Sequence, residues 1–471
     1  MTTQKKDAVI GEEATRYGAQ TEIAGGYPTG RWAWYTVVVL LCAYIFSFID
    51  RQILNLLVGP VRRDLGISDT QMSLLIGFSF ALFYALLGLP FGRLADWVNR
   101  PRLIICGMLI WSVMTGGCGL VSSYAQLFVL RMGVGIGEAT LTPAAYSMIS
   151  DSFPPAKRSV PFSVYTTATF VGGGVAFLFG GLLLRSFGTR EVFQLPLLGP
   201  VRAWQTLFLL LGVSGVAFAM VLFTLRDPSR KGARVLENSS VRGRVERLPL
   251  KIILRYFADN RRTLASLILG MALIALASYG TSAWAVTFLV RNHGMTASHA
   301  GILFGGAQIV SGSLGMIGAG KMVSWLMNRG YRDAYMRVAL LSCPGFFVAG
   351  SLYPLVSNPT AVIALLYVAT FFVCMPVCLI PAAILEAVPN AMRGQATAVY
   401  LLVVNLIGLA LGPTAIALVT DRVFGYDAAV RYSLLIVPGT ASILAAILFL
   451  IGLRSYNASL GRLEIWLKEN I

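Results

Sequence analysis

The stretch "GRLADWVNRPR", Gly92 to Arg102, has an echo later in the chain, "GKMVSWLMNRGYR", Gly320 to Arg332. Both open on glycine followed by a basic residue and carry an Asn-Arg pair after the intervening positions. Each follows a long apolar run, the second of its own half. Working outward from these connections, the chain divides into two sets of apolar segments of about 20 residues, the length a helix needs to cross the hydrocarbon core.

Twelve such spans are expected, at 33–57, 72–93, 102–122, 125–150, 160–184, 204–225, 263–290, 299–322, 336–354, 360–386, 395–420 and 431–453. The fold class is therefore an all-α membrane protein of twelve transmembrane helices in two six-helix bundles, 32–225 and 263–453. A tail, 1–31, precedes them and another, 454–471, follows. The connection 226–262 carries eleven basic residues against four acidic ones. Its second part, with Leu250, Ile252, Ile253, Leu254, Tyr256 and Phe257 beside Lys251 and Arg255, reads as a short amphipathic helix on the inner leaflet. The tail "RLEIWLKENI" reads the same way.

Composition supports this assignment. Of 471 residues 56% are hydrophobic and 13% charged, and the mean hydropathy of +0.72 is far from that of a soluble domain. The net charge of +17 is unevenly placed. With the amino terminus inside, 28 of the 38 Lys and Arg face the cytoplasm and 8 the other side, Arg51 and Arg131 lying within spans. That is the positive-inside pattern, so the basic excess reports topology and not a nucleic-acid partner. A plasma (inner) membrane location with both termini cytoplasmic follows.

All six cysteines fall within spans and there are two histidines, His293 and His299. No disulfide framework, metal site or cofactor is expected, and no phosphate loop or nucleophile triad points to an enzyme. Asn238 and Asn457 match the glycosylation pattern but lie on the basic side. The first thirty residues have no apolar core or small-residue cleavage site, so they read as a cytoplasmic tail and not a signal peptide.

Charges inside spans are few and costly, about 2.5–3.5 kcal/mol each on the insertion scale, and normally face a cavity or a partner. They are Asp50, Arg51, Arg131 and Glu138, all in the first half. Asp50 and Arg51 are adjacent and point about 100° apart, so they look to different neighbours. Arg131 and Glu138 are two turns apart on one face, among Gly133, Gly135 and Gly137, which allow close helix contact or leave room for a substrate. At 1.5 Å per residue Asp50 and Arg131 lie level, about 10 and 9 Å below the outer face, with Glu138 about 10 Å further in. An Asp50–Arg131 ion pair is expected, with Glu138 left protonatable in a low-dielectric cavity. Asp50, Arg131 and Glu138 are the candidate proton-coupling residues. The plain alternative is that they anchor spans 1 and 4 together. Arg51 is free for a phosphate or carboxylate head group or for the outer interface.

Softer candidates for a substrate cavity are Tyr84, Thr142, Tyr146 and Tyr165 in the first half, and Tyr279, Ser282, Trp284, Gln308, Tyr367 and Asn405 in the second. Within "SYGTSAW", Gly280 marks a possible bend in span 7. "GGGVAFLFGG", Gly172 to Gly181, reads as a packing run, and Pro413 as a kink in span 11.

The first connection resembles the signature loop of the major facilitator superfamily, with Gly92, Asp96 and Arg100 at the matching positions. That resemblance implies two parallel six-helix repeats rocking about a central site, with these three residues in the conformational switch. The loop departs from the family at Trp97 and Asn99, and Ser324 stands where the second half would carry aspartate. Gly394 after Arg393 also looks like the family. "SFIDRQILNLL" (47–57), "RMGVGIGEATLTPAAYSMISDSFP" (131–154) and "GRLADW" (92–97) together resemble the Spinster branch, whose animal members are associated with export of sphingosine-1-phosphate or lysophospholipids. The resemblance implies an amphiphilic, lipid-like substrate carried by alternating access; with the buried charges, proton coupling is expected, with protons and membrane lipids as partners and a monomer as the working unit. Alternatives are a proton-driven multidrug or organic-anion carrier of the same fold, and a non-transporting lipid sensor. The packing run lacks the proline of the antiporter motif of drug and proton exchangers, which weighs against the first.

Overall fold

The computed structural model describes residues 27–28, 30–154, 157–188, 192–195, 199–230, 250–389 and 392–470. Most of the amino-terminal tail and residues 231–249 of the long connection, Asn238 included, lie outside the described residues. Among those described, eleven helices are long and apolar enough to cross a membrane. The expected fourth span is the exception, because it is built of two helices end to end, Tyr124–Glu138 and Leu141–Ser152. Pro143 accounts for the break: its ring excludes the carbonyl four residues back, that of Ala139, and it has no N–H to give. The chain tightens there, Thr140 N reaching the Gly137 carbonyl at 3.3 Å. The regular helix of span 4 is thus interrupted immediately after Glu138.

The two halves repeat their packing. Span 3 (Arg100–Cys118) lies against span 6 (Ala203–Leu222) as span 9 (Ala334–Leu352) lies against span 12 (Asp427–Leu467). Span 1 (Gly30–Leu56) packs on span 5 (Val160–Phe187) as span 7 (Arg261–His293) packs on span 11 (Arg393–Phe424). Two seams join the halves: span 5 with span 8 (Ala297–Asn328), and span 2 (Asp69–Gly88, its helix running on to Trp97) with span 11.

The seams are made by backbones that touch. A Cβ on Gly174 would sit 2.8 Å from the Gly305 carbonyl oxygen, and one on Gly77 2.5 Å from that of Leu409. Spans 2, 8 and 11 each carry π-helical segments there, at Leu74–Phe78, Gln308–Gly312, Asn405–Leu411 and Val419–Phe424. In span 11 the irregularity runs into Gly412–Leu418, with Pro413 at its start. Span 7, by contrast, is one unbroken helix of 33 residues. The bend expected at Gly280 is absent: that glycine lets span 11 approach, a Cβ there meeting the Gly412 carbonyl oxygen at 3.0 Å.

The amphipathic stretch forms the helix Leu250–Asp259, with part of its apolar face turned to the protein and Ile252 and Leu254 left exposed. Ile253 and Tyr256 are buried; the Tyr256 hydroxyl donates to the Ala387 carbonyl at 2.8 Å and its ring meets Trp466 edge-on. Burial pushes that hydroxyl up to about 12, so it stays a donor. Trp466 belongs to the last helix, Val430–Asn470, which runs 41 residues without interruption.

Candidate functional site

Span 1 contributes most of the site. Its Arg51 donates from Nη2 to Oε2 of Glu138 at 2.8 Å, and Ser47 Oγ donates to the same oxygen at 2.5 Å. Both charged groups are almost entirely buried, 5% and 1% exposed. The guanidinium lies among aromatic faces, 4.4 Å from the Phe80 ring centre and 4.9 Å from those of Phe48 and Tyr84. Rings placed this way favour a desolvated cation. Glu138 Oε1 has no hydrogen-bond partner among the described residues.

This corrects the expected pairing. Arg131, fully buried, donates from Nη1 to the backbone carbonyl of Asp50 at 3.1 Å and not to its carboxylate. The Asp50 side chain accepts instead from Thr115 at 3.3 Å. Arg51, expected to face a head group or the outer interface, is held by Glu138. The reason lies in side-chain direction: Cα–Cβ bonds lean toward a helix's own amino terminus. Spans 1 and 4 run oppositely, so Arg51 leans inward while Glu138 leans outward, and they meet. Asp50 and Arg131, level at their Cα atoms, lean apart.

Of the softer candidates, four of the five tyrosines, Tyr84, Tyr146, Tyr165 and Tyr279, gather around this pair. The Tyr84 hydroxyl lies 3.4 Å from Thr142 Oγ1. Tyr165 is fully buried and stacks on Tyr44, ring centres 4.9 Å apart, while Tyr146 meets Tyr165 edge-on. Tyr279, from the second half, packs against the main apolar cores on both sides of the site. Ser282 donates to Gln52 across the halves at 3.3 Å. Trp284 instead donates to the Pro413 carbonyl at 2.9 Å, inside the second half. Gln308 and Asn405 open the π segments of spans 8 and 11. The Tyr367 hydroxyl covers Gly306.

Sequence reasoning passed over Ser47, Phe48, Tyr44, Phe80, Gln52, Asn55 and Thr115. Ser47 and Phe48 stand four and three positions before Arg51, and the spacing of helix neighbours points to them. Phe80 and Thr115 carry no such signal.

The loop expected to act in the switch is held within its own half. Arg100 is fully buried, its Nη1 2.5 Å from Asp151 and its Nε 2.7 Å from Asp227. Arg230 donates to the backbone carbonyls of Ala95, Asp96 and Val98, closing the end of the span 2 helix. Asp96 is exposed, and a Cβ on Gly92 would meet Pro143 only at 3.8 Å, so a small side chain would fit there. At the opposite, far end the halves are tied to each other. Asp69, fully buried, takes both guanidinium nitrogens of Arg291 at 2.6 and 2.8 Å and Arg62 at 3.1 Å. Arg62 also reaches Asp427 at 2.8 Å, and Asp421 accepts from Thr70 N and Oγ1 at 2.7 Å each.

Residues 40–413 match the model of the Major Facilitator Superfamily. The chain is 29% identical over 303 residues to an MFS-type efflux pump of Mycolicibacterium smegmatis (strain ATCC 700084 / mc(2)155), an alignment spanning 64% of each. It is 25% identical to protein spinster homolog 1 of Xenopus tropicalis over 88% of this chain and 77% of that one. Among solved structures it resembles a bacterial homologue of the human lysosomal transporter Spinster, inward-facing and unoccupied, with a TM-score of 0.72 and 26% identity. That match covers 92% of this chain and 98% of the other.

Proposed function

Because the chain belongs to the Major Facilitator Superfamily and is a multi-pass membrane transporter of its Spinster-like branch, we propose that it carries an anionic amphiphile of the lysophospholipid or sphingosine-phosphate kind, coupled to protons. The observation that carries this reading is the buried Arg51–Glu138 pair in its aromatic surround. A guanidinium there suits a phosphate or carboxylate head bidentately, yet it is engaged by a carboxylate of the protein. A proton on Glu138 removes that competing charge and releases Arg51 to the anionic head. Substrate and proton then favour each other's binding by the same factor. Tyrosines and phenylalanines around Arg51 offer surface to the first part of the tail.

With the 28 inward-facing basic residues at the cytoplasmic face of a plasma (inner) membrane, the ion-paired far end is external. The arrangement is then inward-facing. Asp50 lies beside the pair and is proposed to pass protons to or from it, while Arg131, which keeps its charge, is proposed to couple to it electrostatically by holding the Asp50 carbonyl. A second reading, a carrier of drugs or soluble organic anions, draws on the similarity to the efflux pump.

The test is flux of 1-oleoyl lysophosphatidylglycerol into liposomes containing the full chain, with and without a pH gradient, with gluconate and puromycin as competitors. The gradient is expected to change lysolipid flux, Glu138→Gln to remove that dependence, and Arg51→Leu to weaken binding at least about tenfold. Flux indifferent to pH overturns the coupling. Uptake of gluconate or puromycin, with no lysolipid flux, favours the second reading.

A further inference from the structure

One turn beyond Arg51 toward the far end, span 1 carries a second set of buried polar groups. Asn55 Nδ2 donates to Gln52 Oε1 at 2.5 Å, and Ser282 Oγ of span 7 donates to the same oxygen at 3.3 Å. Gln52, Asn55 and Ser282 are 7%, 3% and 4% exposed. Gln52 Oε1 therefore takes both neighbouring donors, and Asn55 Oδ1 is buried with no donor of its own among the described residues. An acceptor left so keeps its desolvation penalty uncompensated. As a seal between spans 1 and 7 the set is incomplete, since a seal would close on itself.

We propose that Gln52, Asn55 and Ser282 form a second subsite, which receives a hydroxyl or ammonium donor of the substrate's head while Arg51 holds its anionic group. This rests on the reading of Arg51 as the head-group anchor. Arg51 and Asn55 are four residues apart, so the two subsites are separated by about 6 Å along the helix. The ligand class narrows accordingly to amphiphiles whose phosphate or carboxylate stands about that far from a hydrogen-bond donor, as it does from the free hydroxyl or amine of a lysolipid or sphingoid phosphate. Simple alkyl phosphates fill only the first subsite. Ser282 comes from the second half and the other two from the first, so an occupied subsite bridges the halves that the transport cycle must move.

The experiment compares binding of 1-O-octadecyl lysophosphatidic acid, which has a free hydroxyl, with that of octadecyl phosphate, which has none, to the full chain in nanodiscs. The wild-type protein is expected to prefer the hydroxyl-bearing ligand by about tenfold, the equivalent of one satisfied acceptor. Asn55→Leu brings the ratio close to one and leaves octadecyl phosphate binding unchanged, which also reports that the variant is folded. Should Asn55→Leu not fold, Gln52→Met removes the group that orients Asn55 and lowers the ratio in its place. A wild-type ratio of one, or an Asn55→Leu that weakens both ligands equally, overturns the subsite. Octadecyl phosphate binding that is indifferent to Arg51→Leu overturns the anchor instead, whatever the ratio.

Discussion

The two ends of the bundle are held together by different rules. At the basic end the strong contacts stay inside one half: Arg100 with Asp151 and Asp227 in the first, Arg332 with Glu464 and Tyr456 with Glu386 in the second. At the far end they cross: Asp69 to Arg291, Arg62 to Asp427, Asp421 to Thr70. Contacts of the first kind travel with a rigid half and need never break. Those of the second kind must break whenever the far end opens, so they set the balance between the two states. A ligand can move that balance only through affinities that differ between the states.

Substitutions at the two ends should therefore separate stability from state. Arg100→Ala leaves two carboxylates facing an emptied, buried position and is expected to cost about 3–5 kcal/mol, read as a lower melting temperature with little change in state populations. Asp69→Asn removes the charge shared by two arginines. It is expected to favour the far-end-open state by about 2 kcal/mol or more, roughly thirtyfold, measured by electron–electron distances between spin labels across that end. Gly77→Ala pushes a methyl against the Leu409 carbonyl and should open the same end by about 1–3 kcal/mol, without any change of charge. Arg62→Gln is expected to shift the populations by less than about 1 kcal/mol, and by nothing measurable in high salt, because its partner Asp427 is 63% exposed and Asp69 keeps Arg291. If Asp69→Asn lowers melting and leaves the populations alone, the two ends do not differ as described.

The fold was legible because the bilayer demands it: a long apolar run has few alternatives to a spanning helix, and the echoed connection divides the runs into halves. The interruption after Glu138 was legible in principle, since Pro143 stands in an otherwise helical stretch, but hydropathy alone runs straight through it. The membership of the site was partly readable, as buried charges are rare enough to name one by one. Their partners were not. Depth along the helix axis put Asp50 beside Arg131 correctly at the backbone, while the lean of side chains on antiparallel helices gave the ion pair to Arg51 and Glu138. The Gln52–Ser282 contact depends on how two distant spans meet, which no local spacing encodes.

The π segments of spans 2, 8 and 11 give the seams a means of adjustment. Each wide turn accommodates one residue more than a regular α-helix would place there. Moving that surplus residue along the helix would turn everything beyond it by about 100° and displace it about 1.5 Å along the axis, with few backbone hydrogen bonds lost at any moment. Gln308 and Asn405, at the starts of two such segments, stand where that rotation would first be felt. The seams can thus work as ratchets as well as hinges, exchanging the side chains they show to the cavity without a helix coming apart.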